Sequence, residues 1–224
     1  MAPPERITLT HVFIDHSNVW GGARLASRIK HPGKAEDRAR LAVRKLDDVL
    51  KGRRQGVSTK IVSGGVPPGM EPLWEEYQRA GYDTQRLFRG KDWKERGVDH
   101  SIIGHMWRLL TLYRDARTTL VLASGDGKKN EFGTSFFEVL EEVLKSGRYP
   151  EWTVEVASFD WKYPDDGNVR SPTAAKVRAL VMSSQQAEFI NLTDHFGKLV
   201  YYQKDSTEWT AAHPALPTPS RLLK

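Results

Sequence analysis

Three aspartates in this 224-residue chain stand where an acid is costly to keep without a partner: Asp15, Asp99 and Asp126. Asp15 closes the apolar run His11-Val-Phe-Ile, and a carboxylate buried at a strand end needs compensation. Asp126 lies in Ser124-Gly-Asp-Gly127, just past the apolar run Thr118–Ala123, and Asp99 falls in the first turn of a helical stretch. Carboxylates brought close together repel, and burial sharpens the repulsion. A divalent cation removes that conflict. Mg²⁺ takes oxygen ligands and keeps several waters, so it can orient and acidify a water and offset phosphodiester charge. The chain has no cysteine and no serine in a G-x-S-x-G elbow, which disfavours a covalent intermediate. Each acid alone has an ordinary reading: Asp99 as a helix-dipole partner, Asp126 as a turn residue beside glycine. The three together are the stronger pattern.

The elements that must position them alternate along the chain. His11–Asp15 reads as a buried strand, followed by a loop over 16–34, where Trp20-Gly-Gly22 and His31-Pro-Gly33 act as breakers. Helical spacing spans Glu36–Leu50, and Ser58–Ser63 is a second strand. A short helix over Pro72–Ala80 ends at Gly81, and Tyr82–Phe88 is the third strand. Val98–Arg114 reads as a helix, Thr118–Ala123 as a strand covered on both faces, and Phe132–Lys145 as a helix. Thr153–Phe159 is a fifth strand, Thr173–Met182 a helix, and Glu188–Gln203 a last helix-strand piece. This alternation predicts a three-layer α/β/α domain around a parallel sheet of about five strands. In such sheets ligands bind beyond the carboxyl ends of the strands, where all three aspartates fall. If the first and fourth strands are neighbours, so are Asp15 and Asp126. One domain over 11–203 is expected, with terminal tails at 1–10 and 204–224; the proline-bearing stretch from Ala211 reads as disordered.

The totals narrow the classes. With 39% hydrophobic and 28% charged residues the composition is that of an ordinary soluble domain. The absence of cysteine excludes disulfides and thiolate metal sites and fits a reducing compartment. A net charge of +6 favours polyanionic partners. Neither a membrane-spanning run nor a secretory leader is visible, so an intracellular protein of cytoplasm or nucleus is expected.

The motifs also carry a resemblance. Val12-Phe-Ile-Asp15-His-Ser-Asn18-Val resembles the opening strand of NYN domains, a branch of the PIN-like nuclease superfamily. Lys94-Glu-Arg-Gly97-Val-Asp99 resembles that family's K-x-K-G-V-D segment, and Leu122-Ala-Ser-Gly-Asp126-Gly its strand-end S-G-D motif. Phe189–Leu192 to Tyr201 looks like the closing segment, so the likeness covers roughly 11–203. The resemblance implies Mg²⁺- or Mn²⁺-dependent cleavage of RNA, with Asp15, Asp99 and Asp126 as metal-site carboxylates and Asn18 lining the same pocket. The chain departs from the pattern at Lys128, where many relatives carry a second acid two residues after the first. Glu131 or Asn130 could restore that position, or the fourth ligand is missing. His16 and His100 follow two of the acids and are read as surface histidines.

Single-stranded RNA is gripped by cations along its backbone and by aromatic faces under its bases. Arg89, Lys91, Trp93, Lys94 and Arg96 combine both just before Asp99; Lys128 and Lys129 flank Asp126, and Trp20 follows Asn18. The oligomeric state, including a homo-oligomer, is left open. Three other readings compete. A catalytically inactive NYN module would bind RNA or a protein partner. A haloacid dehalogenase-like phosphatase would use Ser124-Gly-Asp-Gly, but Asp15-His-Ser17 lacks its second acid. A nucleotide cradle at Ser63–Gly69 would lose amide donors to Pro67 and Pro68.

Overall fold

The computed structural model describes residues 8–31, 38–54, 56–65, 71–87, 98–126, 128–129, 133–162, 169–170, 173–205 and 208–211. Six strands form one all-parallel sheet: β1 (Leu9–Asp15), β3 (Thr59–Gly65), β4 (Asp83–Leu87), β5 (Thr118–Ala123), β6 (Trp152–Ser158) and β9 (Ala187–Asn191). Their spatial order is β4-β3-β1-β5-β6-β9. The order runs outward from β1 in one direction and then, with β5, in the other. The strand order therefore reverses between β1 and β5, and doubly wound sheets bind ligands at the carboxyl ends beside such a reversal. The sixth strand, β9, extends the sheet beyond the five expected.

Side-chain alternation sorts the core into two layers. From β1, Val12 and Ile14 face one side and Phe13 the other; from β5, Val121 and Ala123 oppose Leu120 and Leu122. Both faces are apolar because both are covered. One is packed by α1 (His16–Lys30), α2 (Val43–Lys51), α3 (Glu71–Arg79) and α7 (Phe196–Leu199). The other is packed by α4 (Val98–Leu112), α5 (Phe136–Lys145) and α6 (Ala175–Met182). Burial of each large apolar side chain here contributes about 1.5–3 kcal/mol. No helix among the described residues is long and apolar enough to cross a membrane.

Two local readings are corrected. The stretch expected as a loop from residue 16 is the 15-residue helix α1 as far as Lys30. Gly22 is not a breaker there: a Cβ at that position would lie 3.1 Å from the Phe159 ring, so the glycine admits a close approach beneath the helix. Within 36–50 the chain first forms a short strand, β2 (Ala39–Leu41), and only then α2. β2 pairs antiparallel with β10 (Val200–Asp205), which pairs in turn with β11 (Glu208–Ala211), a second small sheet. Ala211, expected to begin a disordered tail, thus ends a strand; residues 212–224 lie outside the described residues. The short strands β7 (Trp161–Lys162) and β8 (Val169–Arg170) form a separate antiparallel pair.

Candidate active site at the carboxyl rim of the sheet

Asp15 is the last residue of β1 and the N-cap of α1, so one residue both leaves the sheet and starts the helix. Its Oδ1 accepts from the backbone N–H of Asn18 at 3.1 Å, an N-cap bond that satisfies one free donor of the first turn. Its Oδ2 accepts from the Ser124 hydroxyl, also at 3.1 Å, across the seam between β1 and β5. The same Ser124 oxygen accepts from the backbone N–H of Asp126 at 3.2 Å. Asn18 closes the circuit, its Oδ1 accepting from the N–H of Gly125 at 3.0 Å. The first and fourth predicted strands are therefore neighbours, and their two acid-bearing turns are hydrogen-bonded together.

Asp15 is 3% exposed. Burial, then the charge of Asp99, and to a lesser degree that of Asp126, push its carboxyl up to about 7. The Asn18 and Ser124 donors pull the other way and are outweighed. Asp99, half-buried in the first turn of α4, and Asp126, half-buried past β5, thus act on Asp15 through charge. Asp126 also receives the N–H of Lys128 on Oδ1 at 2.8 Å, the turn-forming role common for an aspartate beside glycine.

The donor chemistry of three carboxylates suits a hard cation such as Mg²⁺ or Mn²⁺. Their mutual electrostatic cost is the one a cation relieves. Among the described residues, no three His, Asp or Glu side chains are grouped so that they could hold an ion as they stand. The acids therefore fit the cation in type and charge, without a preformed cage.

The S-G-D turn is fixed from above as well as from the side. A Cβ added at Gly125 would stand 2.5 Å from the Cα of Thr173, closer than any real side chain approaches backbone. The Gly125 carbonyl accepts from the N–H of Ala174 at 2.7 Å, just before α6 begins. No known family model, curated protein or solved structure matches the chain.

Other sequence candidates fall in several places. Trp20 is on α1, not in a loop; its Nε1 donates to the Ala39 carbonyl at 3.2 Å and the Arg24 guanidinium lies 5.0 Å from its ring centre. His16 is 3% exposed, which corrects its reading as a surface histidine; its ring packs edge-on to Trp74 and Tyr77, with Nδ1 3.1 Å from the Tyr77 hydroxyl. His100 is exposed, as expected. Lys128 and Lys129 are exposed beside Asp126, and Lys129 pairs with Glu138 at 3.0 Å. Arg89, Lys91, Trp93, Lys94, Arg96, Asn130 and Glu131 lie outside the described residues.

Sequence reasoning missed two members of the rim. Ser124 is only a letter of the S-G-D motif in sequence, yet its hydroxyl joins both acid-bearing turns. Asp160 follows the apolar end of β6 as Asp15 follows that of β1, the same signal, and is 6% exposed. It differs in having a cation: Arg178 of α6 forms an ion pair with its Oδ2.

Proposed function

We propose that this chain is a metal-dependent ribonuclease of the NYN/PIN-like kind, hydrolysing RNA phosphodiester bonds with Asp15, Asp99 and Asp126 as the metal-site carboxylates. The observation that carries the reading is Asp15: an acid at the strand-order reversal whose charge is made costly first by burial, then by Asp99 and least by Asp126. Natural sequences keep such strain chiefly where it is used. Mg²⁺ or Mn²⁺ bound at the acids would supply an acidified water and positive charge beside the phosphate.

The chain's own residues would then do the positioning. Ser124 and the Asn18 amide fix both oxygens of Asp15, so its lone pairs face a defined direction. Asn18, with its oxygen committed to Gly125, turns its side-chain amide away from that bond, where it can donate to a phosphate oxygen. Lys128, exposed at the same rim, adds attraction for the incoming polyanion, with Lys129 beside it paired to Glu138.

Lys128, standing where relatives of the resembled family carry an acid, favours a second reading: an inactive module that binds RNA without cutting it. One experiment separates the two. Labelled single-stranded RNA is incubated with wild type and Asp126→Asn in Mn²⁺, Mg²⁺ or EDTA. Metal-dependent cutting that disappears in the variant supports the nuclease; binding with no cutting by either supports the inactive module.

A further inference from the structure

A groove of about 780 Å³ lies on the α2 and α7 side of the sheet, over β6 and β9. That size is within the usual range of ligand clefts, about 300–1,000 Å³. Its charges are unequal once internal pairs are removed. Arg54 is bound to Glu155 on the floor, and Asp48 to Lys51 at 3.1 Å. Lys45, Arg53 and Lys198 remain without an acidic partner among the described residues, against one unpaired acid, Glu188. Val49 and Ile190, partly buried, add apolar surface to the lining. The Ile190–His195 end lies at the carboxyl end of β9, on the same rim of the sheet as Asp15.

We propose that this groove is a second contact for single-stranded RNA, with Lys45, Arg53 and Lys198 holding backbone phosphates of a strand that also reaches the rim. The inference rests on the reading of the chain as an RNA-processing protein. Three cations without acidic partners in one groove suit a flexible polyanion whose backbone phosphates take the charges, and Val49 and Ile190 leave apolar surface beside them. All three side chains are on exposed residues, so occupying them breaks no internal contact.

The test is binding of a fluorescein-labelled oligouridylate by anisotropy, in EDTA and across a salt series, so that no cleavage is needed. The triple variant K45Q, R53Q, K198Q is compared with wild type and with R108Q, R114Q, R117Q, three exposed arginines on and just after α4 in the opposite layer. Single strands lose about 0.7 of log–log salt slope per phosphate contact, so the groove triple should lose about 2 while the control keeps the wild-type slope. The single K198Q change, the least able to disturb folding, should lose about 0.7. An unchanged slope in the groove variants, or an equal loss in the control, overturns the proposal. Wild type that binds with a groove-dependent slope but never cuts leaves the groove standing and removes the nuclease. Wild type that cuts, with a groove-independent slope, does the reverse.

Discussion

The Asp15 carboxylate accepts from the Ser124 hydroxyl at 3.1 Å across the β1–β5 seam, and that hydroxyl also takes the N–H of Asp126. A single side chain therefore ties the acid that ends one central strand to the turn carrying the acid beyond the other. The arrangement holds Asp15 in place without relieving it, because burial and the Asp99 charge outweigh its two donors. The site is held by hydrogen bonds and unfavourable in charge.

That imbalance has a pH signature. Between 3.8 and about 7 the folded protein keeps a proton on Asp15 that the unfolded chain has already released. Folded protein thus binds more protons there, and stability falls as pH rises across the window. The full effect is roughly 4 kcal/mol. Asp15→Asn removes it. In EDTA the variant should match wild type near about pH 4 and exceed it by a few kcal/mol near about pH 8. Urea unfolding at the two pH values measures this; a variant less stable at both would show that the carboxylate is a structural asset.

His11 has the opposite slope. It lies fully buried in β1 against Tyr113, with ring centres 5.3 Å apart and neither ring nitrogen hydrogen-bonded in the structure. Burial pushes it down to about 4 from 6.5. The unfolded chain binds the extra proton between those values, so stability is full above 6.5 and lost as pH falls through 4, by roughly 3 kcal/mol. His11→Phe, which keeps the ring and removes the base, should flatten this acid limb. An acid unfolding midpoint unchanged in His11→Phe would assign the limb to other groups.

The sequence made the rim readable because acids directly after apolar strand runs are conspicuous. It also made Asp15 and Asp126 neighbours conditional on strand order, and the order meets the condition. What stayed hidden depends on distant partners. β2 is a strand only because β10, some 160 residues later, pairs with it. α1 was obscured by Gly21-Gly22, of which the second is small for the sake of Phe159. Asp160 repeats the Asp15 signal in sequence, but its neutralisation by Arg178 is visible only in three dimensions.

Glycines at two positions should respond in opposite directions. Gly21 is exposed on α1, and a methyl group there would meet nothing within 4 Å, so Gly21→Ala should stabilise by about 0.5–1 kcal/mol through helix propensity. Gly125→Ala drives a Cβ to 2.5 Å from the Thr173 backbone, where no rotamer change gives relief. A cost of roughly 1–3 kcal/mol follows, together with loss of RNA cleavage as the Asp126 turn is displaced. Thermal melts read both; equal shifts for the two variants would mean that the Thr173 contact yields freely.

Asn18 is the residue whose two roles can be separated. Its oxygen holds the buried Gly125 N–H, and its side-chain amide is the group proposed to meet the substrate. Asn18→Ala removes both, leaving a buried donor unsatisfied at a cost of about 1–3 kcal/mol. Asn18→Asp keeps an acceptor for Gly125 and so should melt closer to wild type, while replacing the donor with negative charge. If the amide meets the phosphate, both variants should lose cleavage by about 10²-fold, since a misplaced or missing positioning group costs that much. Cleavage retained by Asn18→Asp and lost by Asn18→Ala would instead confine Asn18 to holding the turn.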